Sequence, residues 1–595
     1  NRKRTNYLNE NVHPNTIRHG GIKSYKMIFR QKYLLALLGT LFLFNSSLFS
    51  DTRPNIILVM VDDFGHECVE SYGGESYTTP QLSRMANEGA QFNHAHSQNI
   101  CTPSRVQIMT GKYNVRNYTR FANLDHSEYT FGNAFQEAGY ATCISGKWQL
   151  GGNAETIKSL GFDEHCLWRI NGANDERYVS PALLTNGKSE AFPGLYGPRL
   201  QQEFVASFIQ RNKSKPFFVY YPMTLPHYPF QPTPDSDDWD PERNPRFNET
   251  LYFNDMVSYL DKLVGELIDL LIKEGIDENT MLIFTSDNGT DHRIRSLHNG
   301  LSIPGAKGKM TEDATHVPFL VRWPAVVDKN TQINGLIDFS DIYATLMDVA
   351  GIIDASLPKN NERDGHSFLP LLTGEQKEIR DHSFCWYMER TDSTDIKSFI
   401  QNKDYKLHSD GRFIDKRADR FELNPINSSE LLEEQKKLKA KFKNQMDYYL
   451  SLRPERIPYN NSQAIQLPGV LEFEAYDIGM PNITYYDLSK GNSGGGFWRR
   501  EDVDILSKRG RHFITNTEAG EWLEYTIQTK EAGEFSMTIK YSAISDGAIH
   551  FEIGGKPITP SILLPKTSSE TMTSLSISQT LSLPKGKYIL RLVID

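Results

Sequence analysis

The feature that most constrains the fold is a set of short, continuous apolar runs. Residues 54–61 form the first run, which is rich in β-branched side chains and ends at the acidic pair Asp62-Asp63. Comparable runs occupy residues 216–221, 281–285 and 317–322. Runs of this length without polar alternation are typical of strands that are buried on both faces of a parallel sheet.

Segments with helical spacing of apolar residues lie between these runs, at residues 81–88, 131–138, 204–210, 256–272 and 342–349. Strands that alternate with helices predict an α/β domain, a mostly parallel sheet flanked by helices. In such sheets the functional residues lie in loops beyond the carboxyl ends of the strands. Asp62-Asp63 and Asp287-Asn288 each follow a predicted strand at that position.

The length of 595 residues indicates more than one domain. We expect the α/β domain over 51–380 and a smaller C-terminal subdomain over 381–453, which contains a charged helix near 430–449. A linker rich in Pro, Asn and Ser follows at 454–469. Alternating strands then predict an all-β sandwich over 470–595. The sequence ends at Asp595 within a strand-like run, which leaves open whether this module is truncated.

The N-terminal residues 1–50 read as a leader. Residue 1 is Asn, and Met27 is the expected start of a signal peptide over 27–50, with Arg30 and Lys32 before an apolar run at 33–44. That run is shorter than the about 20 residues that cross a bilayer. No Cys follows it before Cys68, so we expect a secreted or periplasmic protein without a lipid anchor or membrane span. An internal start or a buried apolar helix is the alternative.

Composition narrows the range of partners. The net charge of −9 argues against nucleic acid, because binding phosphates requires a basic surface. Five cysteines in so long a chain do not make a disulfide framework. Cys101 is the one that needs its own explanation, and the other four could pair or stay buried and free.

One segment carries the chemistry: Cys101-Thr102-Pro103-Ser104-Arg105, followed by Thr110-Gly111-Lys112. This C-x-P-S-R pattern resembles the formylglycine-dependent sulfatases of the alkaline-phosphatase-like superfamily. The resemblance implies that a maturation enzyme oxidises Cys101 to formylglycine, whose hydrate attacks the sulfur of a sulfate ester. It also implies that Arg105 helps to hold this hydrate. An ordinary buried Cys before a turn is the alternative.

The same resemblance implies a calcium site. Its ligands would be Asp62, Asp63, Asp287 and Asn288, with the modified Cys101 completing the shell. Calcium is a hard cation that accepts carboxylate and amide oxygens as ligands. It would therefore also suit the hard oxygens of a sulfate ester. A single acidic pair is usually a solvated turn, but two such pairs flank the C-x-P-S-R segment here.

Three further residues match the family's motifs. Lys147 in Gly146-Lys147-Trp148 and Lys307 in 305–308 are the expected sulfate binders. His227 in residues 226–230 is the expected proton donor to the leaving alcohol. Surface lysines and a structural loop histidine are the alternatives.

The sequence departs from the family at two places. Gln149 stands where the family usually has a His after G-K-W, and residues 312–318 replace the usual E-G-G-x-R-V-P. Gln149 cannot take a proton at neutral pH, so turnover would rely on His292, His298 or a metal-bound water. Arg293 and Arg295 lie with His292 in a cationic loop at residues 291–295. This loop is either a binding site for a polyanion or a solvated loop. The predicted substrate-binding residues are therefore Gln149, His292, Arg293, Arg295 and His298.

The C-terminal motifs, from 471–477 through 494–497 and 503–504 to 520–525, resemble a family 6 carbohydrate-binding module. The resemblance implies a sandwich that stacks sugars on aromatic rings. Trp498 and Tyr525 are candidates, with a place in the core as the alternative.

These observations predict a sulfuric ester hydrolase that acts on a sulfated polysaccharide or oligosaccharide. The expected substrate is an algal polysaccharide such as ulvan, carrageenan or fucoidan. Its expected partners are that glycan and a formylglycine-generating maturation enzyme. One alternative is a phosphodiesterase or phosphonate hydrolase of the same superfamily. A glycan-binding protein whose catalytic half has decayed is another.

Overall fold

The structure is a computed structural model. It describes residues 53–168, 176–244, 246–353, 362–388, 396–460, 462–489, 491–496, 499, 501–508, 510–567 and 572–595. The predicted signal peptide lies outside these ranges, as does Trp498. Among the described helices, none combines the length and the apolar character that crossing a membrane requires.

The α/β region begins with twelve strands. They are β1 (Asn55–Val61), β2 (Ala90–His96), β3 (Ala141–Lys147), β4 (Glu164–Trp168), β5 (Ala182–Thr185), β6 (Lys188–Ala191), β7 (Phe217–Pro222), β8 (Thr280–Ser286), β9 (Arg295–His298), β10 (Leu301–Pro304), β11 (Phe319–Arg322) and β12 (Thr331–Asp338). Its helices are α1 (Pro80–Asn87), α2 (Cys101–Thr110), α3 (Asn114–Asn117), α4 (Phe131–Glu137), α5 (Ala154–Ser159), α6 (Gly197–Asn212), α7 (Phe253–Lys273), α8 (Glu312–Thr315), α9 (Ser340–Val349) and α10 (Leu369–Leu372).

Ten of these strands form one sheet in the order β12-β2-β11-β8-β1-β7-β3-β4-β5-β6. The run from β8 through β1, β7 and β3 to β4 is parallel. Strand β11 is antiparallel to both of its neighbours, and β5 and β6 extend the other edge as antiparallel strands. The predicted mostly parallel α/β sheet is thus confirmed, and antiparallel strands occupy positions towards its edges.

Burial on both faces explains the continuous apolar runs. In β1, the side chains of Ile56, Leu58 and Met60 belong to the core on one face of the sheet. The intervening Ile57, Val59 and Val61 belong to the core on the other face. Helices cover both faces, so no position of the strand needs a polar side chain.

The region after 380 holds a second, smaller sheet. Strands β13 (Ser383–Met388), β14 (Ile396–Gln401), β15 (Tyr405–His408) and β16 (Phe413–Asp415) pair in sequence order, all antiparallel. Helix α11 (Glu433–Ser451) packs against them through Phe442 and Met446. The predicted charged helix at 430–449 is confirmed.

The remaining strands range from two to eleven residues and are mainly antiparallel. They are β17 (Arg456–Ile457), β18 (Ile465–Leu467), β19 (Ile478–Gly479), β20 (Tyr485–Tyr486), β21 (Ile505–Lys508), β22 (Arg511–Ile514), β23 (Trp522–Thr529), β24 (Gly533–Tyr541), β25 (Gly547–Ile553), β26 (Lys556–Pro557), β27 (Ile562–Leu564), β28 (Thr573–Leu583) and β29 (Gly586–Ile594). They enclose a separate apolar core. Tyr525 lies in this core with no exposed surface, and its hydroxyl donates to the carbonyl of Phe473. Its aromatic ring therefore packs inside the sandwich, and a sugar cannot stack on it.

Candidate active site

The ends of four neighbouring parallel strands build the site. Asp62-Asp63 follow β1, Asp287-Asn288 follow β8, Lys147 is the last residue of β3, and His227 lies in the loop after β7. Because β8, β1, β7 and β3 are adjacent and parallel, their carboxyl ends meet at one edge of the sheet. Residues that are far apart in sequence are therefore brought together there.

The two acidic corners are in direct contact. The backbone N–H of Asp63 donates to Oδ1 of Asp287 at 3.1 Å, and Nδ2 of Asn288 donates to Oδ1 of Asp63 at 2.9 Å. Asp62, Asp63, Asp287 and Asn288 have no exposed surface. Asp63 adopts a left-handed backbone conformation, with φ of 68°, as the chain turns away from the strand.

Each carboxylate has a cationic partner. Lys147 Nζ donates to Asp62 at 2.8 Å, and Lys307 Nζ donates to Asp63 Oδ2 at 2.6 Å. Arg105 binds Asp287 Oδ2 through Nη2 at 2.7 Å and Nε at 3.1 Å. These seven side chains, of Asp62, Asp63, Asp287, Asn288, Arg105, Lys147 and Lys307, are called the aspartate pocket below.

Cys101 begins helix α2, all ten residues of which are buried. Arg105 lies one turn later on the same helix, so one short element contributes both side chains. The Cys101 Sγ lies 3.8 Å from Oε1 of Gln149, the residue that stands in place of the family's His. All five cysteines are free and buried.

His227 has an assigned role for each ring nitrogen. Nδ1 lies 2.5 Å from the carbonyl oxygen of Tyr228, a contact that requires an N–H. Nε2 lies 3.1 Å from Nζ of Lys307 and 3.5 Å from Oδ2 of Asp63. Nε2 is therefore the nitrogen that faces the aspartate pocket.

Burial and crowding of charge shift the pKa values in the pocket. Burial raises the pKa of Asp287 to about 6, and the neighbouring Asp62 adds to this rise. Burial also raises the pKa of Asp63. For Asp62, burial is outweighed by Lys147, His227 and Arg105, which hold its pKa well below the usual value. Burial lowers the pKa of His227 well below its usual value, and the nearby Arg177 and Lys307 lower it further.

The donor set fits a hard divalent cation. Three buried carboxylates and an amide converge, and Oδ1 of Asn288 is a buried acceptor without a hydrogen-bond partner among the described residues. Asp62, Asp63 and His227 place ligand atoms within 4.8 Å of one another. Oxygen ligands of this kind suit calcium, and a cation here would offset the repulsion that raises the pKa of Asp287.

The five residues predicted to bind substrate are dispersed. Gln149 lies beside Cys101 as described above. Arg293 stacks on the ring of Tyr228 at 4.3 Å and binds Asp291 at 2.8 Å, next to the His227 loop. His292 and Arg295 are largely exposed. Of these three residues of the cationic loop, only Arg293 contacts the His227 loop, through the ring of Tyr228.

His298 belongs to a different group. Its Nε2 lies 3.0 Å from the carbonyl oxygen of Tyr72, and its ring packs edge-on against His66. His66 stacks on His316 at 3.9 Å, and His316 packs near His96. These four side chains, of the buried His66, His96 and His298 and the partly buried His316, form the histidine cluster.

Arg177 is a pocket residue that sequence reasoning missed. Its Nη1 lies 3.6 Å from Oδ2 of Asp62, and its guanidinium stacks on Trp168 at 4.1 Å. It belongs to no motif and precedes α6 in an irregular segment, so no signal in the sequence marks it. The charge it adds is evident only when the chain is folded.

Three family models match the chain. The sulfatase model matches residues 54–352, and a model described as N-sulphoglucosamine sulphohydrolase, C-terminal, matches residues 306–448. A carbohydrate binding module of family 35 matches residues 499–594. The predicted carbohydrate-binding module is confirmed as a class, and the matching family is 35.

Curated relatives carry sulfatase names. An N-acetylgalactosamine-6-O-sulfatase of Bacteroides thetaiotaomicron is 28% identical over 56% of this chain and 78% of its own length. Arylsulfatase A of Bos taurus is 30% identical over 60% of this chain and 74% of its own length.

Solved structures share the fold. One, a protein in complex with its substrate D-glucosamine-2-N,6-O-disulfate, has a TM-score of 0.57 at 23% identity and covers 67% of this chain and 98% of its own. Another, Ps i-CgsB in complex with k-i-k-neocarrahexaose, also has a TM-score of 0.57, at 22% identity, and covers 68% of this chain and 94% of its own.

Proposed function

The chain belongs to the sulfatase family and is a sulfuric ester hydrolase, and on that premise we propose that it removes sulfate from a sulfated polysaccharide or oligosaccharide. The carbohydrate-binding module at 499–594 supports a glycan substrate. The names of similar proteins include an N-acetylgalactosamine-6-O-sulfatase and a protein in complex with k-i-k-neocarrahexaose. Sulfated galactans of algae and glycosaminoglycans are therefore the glycans to test first.

One observation carries this proposal. Cys101 stands at the start of a buried helix whose Arg105 binds Asp287, one of three buried carboxylates that are each paired with a cation. Such a concentration of buried charge is costly unless it serves binding or catalysis. A pocket with four strand ends and a nucleophile position suits a reaction in which negative charge builds on a sulfuryl group.

We propose that Cys101 matures to formylglycine, which supplies the nucleophile as its hydrate. Asp62, Asp63, Asp287 and Asn288 would hold calcium. When bound, calcium supplies a hard positive charge for the sulfate oxygens. Arg105, which reaches Asp287 from one turn beyond Cys101, fixes the orientation of the nucleophile's helix against this site.

Lys147 and Lys307 serve the sulfate. Each ammonium is already oriented by a carboxylate, so neither needs to reorganise when charge develops on the sulfuryl oxygens. His227 Nε2 accepts a hydrogen bond from Lys307 Nζ, and once the ring is protonated this nitrogen would deliver a proton to the leaving alcohol. The incoming sulfate anion raises the pKa of His227, since it offsets the nearby positive charges.

Two further predictions complete the proposal. The division into 51–380, 381–453, 454–469 and 470–595 is supported by the separate apolar core of the sandwich. Export to the periplasm or the medium is supported by the composition of residues 27–50.

Sulfate release tests the function. The protein, co-expressed with a maturation enzyme, is assayed on aryl sulfate, sulfated galactans, fucoidan and sulfated glycosaminoglycan oligosaccharides, with a phosphodiester and a phosphonate ester in parallel. We expect calcium-dependent release of sulfate from at least one glycan. Faster cleavage of the phosphorus esters would favour the phosphodiesterase reading instead. Binding without any release would favour the decayed enzyme.

A further inference from the structure

The side chain of Arg177 is a buried cation at the edge of the aspartate pocket. Only 6% of this residue is exposed. Its Cζ lies over the Trp168 ring, 4.1 Å from the ring centroid, and this contact restrains the guanidinium. Nε and Nη1 have no hydrogen-bond partner among the described residues. Burying a guanidinium with unpaired donors is costly, so a ligand for them is expected.

With Arg177 included, the aspartate pocket has one more cationic side chain than it has carboxylates. Asp287 pairs with Arg105 at 2.7 Å, Asp62 with Lys147 at 2.8 Å, and Asp63 with Lys307 at 2.6 Å. Three carboxylates therefore already have three cations at hydrogen-bond distance. Arg177 approaches Asp62 only to 3.6 Å, on an oxygen that Lys147 also contacts. A cation bound by the aspartates would increase this surplus of positive charge.

Arg177 is linked to the loop that carries His227. The next residue, Tyr178, donates from its hydroxyl to the carbonyl oxygen of His227 at 2.5 Å, which ties the Arg177 segment to the His227 loop. Arg177 is also the strongest charged influence on the pKa of His227. Since His227 is proposed to serve the leaving alcohol, Arg177 faces the sugar that carries the ester.

We propose that Arg177 binds a second anionic group, a carboxylate or a further sulfate, on the sugar whose sulfate ester is cleaved. This inference rests on the proposed function and makes the substrate a sugar with at least two negative charges. A planar guanidinium offers two parallel N–H donors that match the paired oxygens of either group. Stacking on Trp168 orients these donors before the sugar arrives, which limits the entropy lost on binding.

Kinetics on matched substrates test the inference. The matured wild type, Arg177→Gln and Arg177→Lys are assayed on a neutral monosulfated disaccharide, its uronate-containing counterpart, its disulfated counterpart and methylumbelliferyl sulfate. We expect wild type to prefer one of the two dianionic sugars. In Arg177→Gln, kcat/KM on that sugar should fall about 10- to 100-fold further than on the aryl sulfate, mainly through KM. The loss of kcat/KM in Arg177→Lys should be intermediate, since a lysine keeps the positive charge but lacks the two parallel N–H donors.

A control and a binding arm keep the outcome decisive. Arg211→Gln, which removes a surface guanidinium paired with Glu164 at 2.9 Å, should leave the substrate ratios unchanged. Calorimetry in the Cys101→Ala background should show the same about 10- to 100-fold weaker binding of the dianionic sugar by Arg177→Gln. Equal losses on every substrate, or no preference for a dianionic sugar, would overturn the inference. If matured wild type releases no sulfate at all, the proposed function fails, and the calorimetric arm still decides whether Arg177 binds the anion.

Discussion

The aspartate pocket and the histidine cluster are both buried and titratable, yet they differ in how their charges are arranged. In the aspartate pocket, charged groups converge in pairs at the ends of four strands, and Oδ1 of Asn288 is an acceptor without a partner. In the histidine cluster, neutral rings stack on one another, and burial lowers the pKa of His66 and of His96 to about 3. Burial alone therefore does not identify a site for chemistry. Pairs of opposite charges gathered around an acceptor without a partner do identify one.

Replacing Cys101, at the aspartate pocket, is expected to cause the largest loss of activity. Cys101→Ala and Cys101→Ser remove the residue that matures to the nucleophile, so kcat should fall by at least about 10⁴-fold. Sulfate release by matured protein measures this. Cys385→Ser, at another buried cysteine outside the pocket, is the matched control and should retain turnover. Full activity in either Cys101 variant would place the chemistry elsewhere.

Removing one paired cation comes next. Lys147→Met leaves the Asp62 carboxylate without its 2.8 Å partner and takes away a positive charge that meets the sulfuryl group. We expect kcat/KM to fall about 10²- to 10³-fold, the range seen when one preorganised donor is lost. Lys213→Met, which breaks a surface pair with Glu274, serves as the control. A loss below about threefold would mean that Lys147 stabilises only the folded protein.

Calcium removal should have a moderate effect on stability. With calcium at about 100 times its Kd, chelation should lower the free energy of unfolding by about 2.7 kcal/mol. Thermal melting with and without chelator measures it, and readdition of calcium should restore the melting temperature. Asp287→Asn should diminish the calcium-dependent shift, whereas His96→Asn should preserve it, because the histidine cluster is not expected to bind the ion. A melting temperature that does not change when calcium is removed would contradict the proposed ligands.

Replacing His96 in the histidine cluster should have the smallest effect, a change in stability that appears only at acid pH. Burial keeps His96 neutral in the folded protein, with a pKa of about 3, whereas in the unfolded chain it binds its proton near the ordinary histidine pKa of 6.5. Its contribution to stability is therefore full above pH about 6.5 and is lost as the pH falls towards 3. His96→Asn keeps an acceptor for the side-chain amide of Gln401, which lies 3.0 Å from Nδ1.

Denaturant melts from pH 7 to pH 4 measure the slope of stability against pH. We expect His96→Asn to take up about one proton fewer on unfolding than wild type across this range. The exposed His292→Asn is the control and should keep the wild-type slope. An unchanged slope in His96→Asn would mean that His96 titrates freely in the folded protein.

The sequence predicted the parts of the fold and the site that depend on local pattern. The apolar run before Asp62 and the run before Asp287 each predicted a strand, and the parallel register, with Val61 opposite Ser286, brings the two acidic pairs together. The antiparallel pairing of β11 was not predictable, because an apolar run has no direction. Tyr525 could not be assigned to core or surface, since an aromatic side chain suits either.

Arg177 shows the other limit. Its role depends on Trp168 beneath it and Asp62 beside it, which lie 9 and 115 positions earlier in the chain. No spacing rule links such residues, so only the folded chain shows that the pocket has a surplus cation. His298 illustrates the reverse case: its closeness in sequence to Asp287 suggested the pocket, whereas β9 carries it to the histidine cluster.

Mass spectrometry of the peptide that contains Cys101 is the most direct measurement, since every catalytic step begins with that side chain. After co-expression with a maturation enzyme, we predict the mass of the aldehyde at Cys101 and unmodified thiols at Cys68, Cys143, Cys166 and Cys385, with sulfate release rising in proportion to the aldehyde fraction. An unmodified Cys101 thiol in protein that still hydrolyses sulfate esters at full rate would contradict this mechanism.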